Sequence, residues 1–389
     1  MKASANDHVH SDTKLPALTG LRFFAAFAVL LSHFSARGLT PVPGAVTDFL
    51  DGGRTAVSLF FVLSGFILAF NYVELSGKAA RRRFYVNRIA RIYPVLLLSL
   101  ALGGVGVAYA VLNPNTGFLL SWYALQSSNP WTLAASFVGQ ITMTTGWLPT
   151  ARLNQPWNGP AWSIACEMFF YAVFPFAIVW ARRQSASMLI GALSIAFASQ
   201  ILFIVAVRAL APAGQRGFLV SQFPLTHLFE FLVGIAVGLF FLRGGKEWVK
   251  VGSRRTVLLI SSIVPLALLS AFQPVDPAFL PMSPFFAVLI FALAVPPRKR
   301  PSLLSARWIV LLGEASFSLY LVHVPLLNLY SIFDPGQVIG WLLAAATVAL
   351  SVFIYKTFET PARLTVQRAL TPAIVIHEAD PKVGGQLRC

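Results

Sequence analysis

Leu18-Thr19-Gly20-Leu21-Arg22-Phe23-Phe24-Ala25-Ala26-Phe27-Ala28-Val29-Leu30-Leu31-Ser32-His33 is an apolar run broken by one arginine near its start and closed by one histidine. Extended to residue 37, it is long enough as a helix to cross a hydrocarbon core of about 30 Å. Arg22 and His33 are eleven positions apart. At about 100° per residue that is close to three whole turns, so both point the same way, roughly 16 Å apart along the axis. Ionisable groups in a span are costly and face a partner or a cavity. The plainer reading has Arg22 snorkelling to the interface and His33 bonding a neighbouring helix. Their shared face favours function.

Similar runs recur along the chain, near 18–37, 56–73, 93–112, 160–181, 187–208, 223–242, 256–272, 283–297, 308–332 and 337–356. Of the 389 residues, 57% are hydrophobic and 11% charged, against about 25% charged in a soluble domain. The expected fold class is all-α, a polytopic membrane protein with about ten transmembrane helices. An eleventh stretch, 131–148, contains Gln140 and several threonines, and charge decides against it. If it crossed, the clusters at Arg182 and Arg183, Arg243 to Arg255 and Arg298 to Arg307 would all face outside, against the positive-inside rule. Both termini are therefore expected in the cytoplasm, with 1–17 a cytoplasmic segment, 18–363 the membrane domain and 364–389 a cytoplasmic tail. Residues 113–160 are then an external loop or re-entrant segment, a candidate lid or acceptor platform. The setting expected is a bacterial inner membrane.

The net charge of +16 sits in short clusters between apolar runs. These read as topology signals and partners of lipid headgroups, with no basic aromatic face for nucleic acid. Two cysteines, Cys166 and Cys389, make no disulfide framework. No Walker loop, zinc-ligand spacing or Gly-x-Ser-x-Gly elbow is present, so an ATPase, a zinc hydrolase and a serine esterase are disfavoured. No metal is expected.

Several further polar residues stand inside apolar runs. Glu167, in Trp162-Ser163-Ile164-Ala165-Cys166-Glu167-Met168-Phe169-Phe170-Tyr171, is expected about 10 Å deep, at a level that His33 also reaches. It is a candidate partner for that imidazole, or else makes an interhelical hydrogen bond. Arg88 and Arg91, three apart in Asn87-Arg88-Ile89-Ala90-Arg91-Ile92-Tyr93-Pro94, share a face at the cytoplasmic entry of the third span. Arginine forks suit phosphate groups, whereas Arg81 to Arg83 read as headgroup contacts. Ser316, Tyr320 and His323 lie on related faces of one helix. The Ser64-Gly65 step marks close helix approach, with Ser64 a possible cavity residue. His227 and Glu230 are open between packing and acceptor contact. Cys166 points about 100° from Glu167, which disfavours a thiol nucleophile.

In order and spacing, these segments resemble the acyltransferase family 3 of bacterial membrane O-acyltransferases, which modify surface polysaccharides, O-antigens and some macrolides. The resemblance runs from Leu15 to about Arg363. It rests on Leu-Thr-Gly-Leu-Arg with His33, Leu-Phe-Phe-Val-Leu-Ser-Gly-Phe, Asn-Arg-Ile-Ala-Arg-Ile-Tyr-Pro, Trp-Ser-Ile-Ala-Cys-Glu-Met-Phe-Phe-Tyr and Ser-Phe-Ser-Leu-Tyr-Leu-Val-His.

It implies transfer of an acyl group, usually acetyl, from cytosolic acetyl-CoA to a hydroxyl of an extracytoplasmic or lipid-linked carbohydrate. Acyl-CoA enters as co-substrate, with no tightly bound cofactor. The resemblance maps functional roles onto Arg22 and His33, and the paired arginines onto Arg88 and Arg91. Many relatives carry Asp where this chain has Thr19, which makes Glu167 the more attractive carboxylate. The expected site then has His33 and Glu167 as catalytic residues and Arg22, Arg88 and Arg91 on the acyl-CoA. Trp162, Ser163, Tyr171, Ser64, Tyr320 and His323 are expected along the acceptor path. The rival reading is a transporter or flippase that uses the same Arg, His and Glu as a proton or substrate pathway. A sensory or scaffolding membrane protein is a third.

Overall fold

A computed structural model describes residues 15–42, 54–75, 77–113, 117–125, 129–250, 253–272, 282–295, 302–333 and 336–371. The polar stretch up to Lys14, the tail from residue 372 and the basic Arg298, Lys299 and Arg300 lie outside the described residues. Among the described residues the chain is helical, with no strand. The principal helices are α1 (Pro16–Ala36), α2 (Arg54–Asn71), α3 (Lys78–Leu112), α4 (Gly117–Trp122), α5 (Pro130–Ile141), α6 (Trp162–Ala181), α7 (Ala186–Leu210) and α8 (Ala213–Ser221). They continue as α9 (Leu228–Phe240), α10 (Arg254–Phe272), α11 (Ser283–Ala294), α12 (Arg307–Glu314), α13 (Ser316–Ser331), α14 (Gln337–Ile354) and α15 (Thr360–Leu370).

Six helical runs are long and apolar enough to cross a membrane, seven if the bent pair α12 and α13 forms one span. The chain is therefore a multi-pass membrane protein. α2 and α11 are shorter apolar helices within expected spans. The surface agrees with this reading. In α7 only Ile204 and Val207 are buried, while Ile190, Ile195 and Leu202 are 65%, 70% and 69% exposed. Such a helix is stable only where the surroundings are themselves apolar. The ambiguous 131–148 stretch holds the 12-residue α5. At about 1.5 Å per residue it is too short to cross the bilayer. An Asn129–Thr132 capping box starts α5, and the Gln140 carboxamide donates to the carbonyls of Asn154 and Pro156, folding the segment back on itself.

Helix approach is set by small residues. The closest pairing among the described helices is α2 against α9, where Gly65 lies on the backbone of Phe231 to Gly234 and Gly234 on that of Val62 to Phe66. A side chain at either position would collide with main-chain atoms, so the two glycines permit a packing distance no other residue allows. Gly313 does the same for α12 against Thr19 of α1.

Two helices depart from the expected spans. The 308–332 stretch is two helices that meet at 58°, because α12 ends at Glu314 and α13 restarts at Ser316. The Ser316 hydroxyl donates to the Gly313 carbonyl at 2.7 Å and satisfies a backbone acceptor released by the bend. The last span likewise runs on, through a π-helical turn at Tyr355–Glu359 into α15. α15 packs on the first half of α3, with Gln367 Nε2 donating to Asn87 Oδ1 at 3.0 Å and Arg82 to the Leu370 carbonyl at 3.2 Å. Beside them Arg243 caps the end of α6, donating to the carbonyls of Ala181, Arg182 and Gln184.

Candidate active site

α1 is unbroken from Pro16 to Ala36, so the helical offset between Arg22 and His33 holds along one rod. Each end of that rod meets a different set of neighbours.

At the His33 end, the partner is a second histidine. His323 is fully buried on α13, and its Nε2 lies 3.1 Å from Nδ1 of His33. The other nitrogen of His323, Nδ1, is 2.7 Å from the Tyr320 carbonyl. A carbonyl only accepts, so the proton of His323 is on Nδ1 and its Nε2 carries the lone pair. His33 Nδ1 must then donate, its N–H lying between His323 Nε2 and the Val29 carbonyl at 3.0 Å. The basic lone pair of His33 falls on Nε2. This is how a neighbouring group fixes a tautomer without bearing charge.

His33 also lines a cavity of about 430 Å³. Val29, His33, Trp162 and Tyr320 line it from α1, α6 and α13, together with Ser121, Gln155, Ser221 and Gln222. The Tyr320 hydroxyl and Ser163 Oγ are 2.8 Å apart, with Ser163 donating to the Pro160 carbonyl at 3.0 Å. Tyr320 therefore donates to Ser163, and both are held at the edge of the cavity. Six residues of the 113–160 segment line this volume: Ser121, Ala124, Ala151, Gln155, Gly159 and Pro160.

The Arg22 end is charged and aromatic. The Arg22 guanidinium lies in the electrostatic range of Arg91, Glu167, Glu359 and Tyr171. Arg91 sits over the Phe317 ring at 5.7 Å. Arg88 donates to the Tyr72 hydroxyl at 3.1 Å and lies 5.3 Å from that ring and 5.7 Å from that of Tyr171. Arginines stack well on such faces because the guanidinium is planar and weakly hydrated. Arg88 and Arg91 share a helix and diverge in partners, one toward Tyr72 and Tyr171, the other toward Phe317 and Arg22. Two guanidiniums in an apolar interior repel unless anions offset them. Glu167 and Glu359 supply two such charges.

Glu167 accepts a hydrogen bond from Ser64 at 3.4 Å. The bond that orients the His33 ring comes from His323, where the sequence had pointed to Glu167. Ser64, Trp162, Ser163, Tyr171, Tyr320 and His323 divide between the two ends. Trp162, Ser163, Tyr320 and His323 belong to the cavity side, Ser64 and Tyr171 to the side of Glu167 and the arginines. Ser316 is taken up by the bend between α12 and α13. Cys166 is fully buried and bonds the Gln222 carbonyl through Sγ at 3.6 Å.

Sequence reasoning missed Glu359 and Gln222. Glu359 is 2% exposed and accepts from Ser318 Oγ at 2.6 Å. It lies just beyond the stretch whose hydropathy marks a span, and its signal is the continued helical pattern through Thr360–Leu370. Gln222 lies in a connection and carries no motif. Among the described residues there is no cluster of His, Cys, Asp or Glu fit to hold a metal ion.

Comparison with known proteins places these features in a family. The profile described as an acyltransferase domain matches residues 15–356. The acyltransferase MdmB of Streptomyces mycarofaciens is 30% identical over 332 residues, covering 80% of this chain and 78% of its own length. Nodulation protein 10 of Rhizobium leguminosarum bv. viciae is 26% identical over 88% of this chain and 91% of its own. The peptidoglycan O-acetyltransferase OatA of Listeria monocytogenes is 24% identical over 91% of this chain and 56% of its own length. No solved structure matches.

Proposed function

We propose, on the premise that the chain belongs to the acyltransferase family 3 and is an acyltransferase of groups other than aminoacyl groups, that it O-acylates a carbohydrate across the membrane. The donor is acyl-CoA, in the simplest case acetyl-CoA, taken from the cytoplasm as co-substrate. The acceptor is a hydroxyl of an extracytoplasmic or lipid-linked glycan. The relatives named for acyl transfer, one of them to peptidoglycan, support this class of reaction. The observation that carries the reading is the two-ended α1, with arginines at one end and a tautomer-fixed histidine on a cavity at the other.

The arginines hold the phosphates of CoA, Arg88 and Arg91 from α3 and Arg22 from α1. The pantetheine arm then runs along α1 toward His33, a distance of roughly 16 Å. The acceptor hydroxyl sits in the cavity. His33 Nε2 takes its proton as the oxygen attacks the thioester carbonyl. The C–S bond breaks, the ester leaves with the acceptor, and the CoA thiolate recovers the proton from the imidazolium. His323 accepts the Nδ1–H bond throughout, so the positive charge that builds on His33 is shared with an oriented dipole. Tyr320 would donate toward the oxyanion by exchanging its bond to Ser163 for one to the thioester oxygen.

The topology that serves this reaction has ten spans in a bacterial inner membrane and both termini in the cytoplasm. Purified protein in lipid nanodiscs, given acetyl-labelled acetyl-CoA and an envelope glycan fraction, should release CoA and label the glycan. CoA release that is absent, with the glycan carried unmodified across proteoliposomes, would establish a transporter instead.

A further inference from the structure

Uncharged groups wall the outer cavity. Among the described residues that line it there is no Asp, Glu, Lys or Arg. Beside the His33 imidazole and the Trp162 indole, the polar side chains that line it are hydroxyls and carboxamides, those of Ser121, Gln155, Ser221, Gln222 and Tyr320.

One of those carboxamides, on Gln222, stands on a firmly held stretch of backbone. The Gln222 N–H donates to Phe218 at 2.8 Å, and its carbonyl accepts from Cys166 at 3.6 Å. The adjacent Ser221 carbonyl accepts from His227 Nε2 at 3.1 Å. His227 Nδ1 in turn lies 3.0 Å from Glu230 Oε2, and Ser58 donates to Glu230 Oε1 at 2.6 Å. The pair that the sequence left open between packing and acceptor contact thus holds the cavity wall. Its imidazole also faces Trp162, ring centroids 5.5 Å apart, and Phe61 meets the same indole edge-on at 6.3 Å. Trp162 is a flat apolar wall fixed from two sides.

We infer that this cavity selects an uncharged, hydroxyl-bearing ring, a neutral sugar, with the Gln222 carboxamide hydrogen-bonding one of its hydroxyls and Trp162 supplying the face on which it stacks. The inference rests on the acyl-transfer reading of the site and adds the charge class of the acceptor. Hydroxyls match a wall of carboxamides and hydroxyls, and a sugar ring has an apolar face for the indole. A uronate would bring a carboxylate into an enclosure with no fixed cation among its described lining residues, so its lost hydration would go uncompensated.

The test uses the full chain in nanodiscs with acetyl-CoA. One acceptor panel is the methyl glycosides of glucose, galactose, mannose, rhamnose and N-acetylglucosamine, and the other the methyl glycosides of glucuronate, galacturonate and mannuronate. Transfer to at least one neutral member and none to the uronates is the expected result. The acceptor KM should rise on the order of tenfold in Gln222→Leu, with the acetyl-CoA KM within about twofold of wild type. Gln222→Asn and Trp162→Phe should recover part of the acceptor KM lost in Gln222→Leu and Trp162→Ala. Equal or better transfer to a uronate overturns the inference. So does failure on every neutral glycoside by a protein that still hydrolyses acetyl-CoA, and so does an unchanged acceptor KM in Gln222→Leu. Absence of any CoA release overturns the acyl-transfer reading itself, a different outcome from all of these.

Discussion

The two ends of α1 solve opposite problems. Around Arg22 the protein gathers three guanidiniums, two carboxylates and the rings of Tyr72, Tyr171 and Phe317, a charged and aromatic setting. Around His33 it gathers a hydrogen-bonded histidine pair and a cavity with no Asp, Glu, Lys or Arg among its described lining residues. One helix therefore joins a place suited to an anion with a place suited to a neutral polar molecule. An enzyme that joins a phosphate-bearing donor to a hydroxyl acceptor needs this division, because the same pocket cannot solvate a nucleotide phosphate and shelter a neutral base. A proton pathway has no use for it, since continuous relay calls for titratable groups along the whole path.

The sharpest way to break the comparison is to remove the base. His33→Ala should lower transfer by about 10³-fold, within the usual 10²–10⁴ for a general base. CoA binding, measured by calorimetry, should survive, because the proposal puts the donor's phosphates at the other end. Loss of CoA binding in that variant would collapse the two ends into one site. His323 comes next. His323→Leu removes the side-chain acceptor of the His33 Nδ1–H and leaves the Val29 carbonyl, and transfer should fall by about 10²-fold, the worth of a charge-assisted hydrogen bond of roughly 2–3 kcal/mol. His323→Gln keeps an accepting oxygen and should recover part of the rate. Equal rates for the two variants would mean that His323 acts by packing alone.

These predictions mark where the sequence was readable. Ten apolar runs, Arg22 and His33 on one face, and Arg88 with Arg91 follow from composition and helical phase, which are local properties. The structure keeps α1 unbroken and, among the described residues, places helix in each of those runs, six or seven of them long and apolar enough to span. The Ser64-Gly65 step was also legible, since only small residues let backbones touch, and Gly65 packs on the main chain of α9. Partnership was not legible. His33 and His323 are 290 positions apart, and nothing local says which of several buried polar groups a histidine will meet. Glu167 was the nearer guess by depth alone. The bend at Ala315 is what alters the geometry, since α13 enters at 58° to α12 and carries Tyr320 and His323 with it. Gln222 had no periodicity to betray it, because it lies in the connection that follows α8.

At the charged end the effects should be smaller, because the proposal divides the donor's phosphates among three arginines. Arg91→Gln should raise the acetyl-CoA KM by about tenfold with the acceptor KM unmoved, the size expected for one charge-assisted contact among several. The rise should shrink for a donor that lacks the 3′-phosphate. An effect on the acceptor KM alone would place Arg91 on the wrong side of the comparison.

Glu167 gives the smallest and most discriminating test. If it served His33, Glu167→Gln would act like loss of a catalytic partner, shifting the acidic limb of the pH–rate profile where the base titrates. The structure joins it to Ser64 and sets it against Arg22. Its neutralisation should therefore act on donor binding, changing the acetyl-CoA KM by about fivefold, near 1 kcal/mol, while the acidic limb stays in place. The direction is itself informative. A carboxylate beside Arg22 competes with the donor's phosphates for the same guanidinium, so removing its charge should tighten the donor if Arg22 is otherwise positioned. It should weaken the donor if Glu167 is what holds Arg22 in line. A ternary comparison with Glu359→Gln separates the two, because Glu359 also lies in range of Arg22 but is anchored by Ser318 on α13. Opposite signs for the two glutamates would show one as competitor and the other as brace; a shifted acidic limb in Glu167→Gln would return Glu167 to His33.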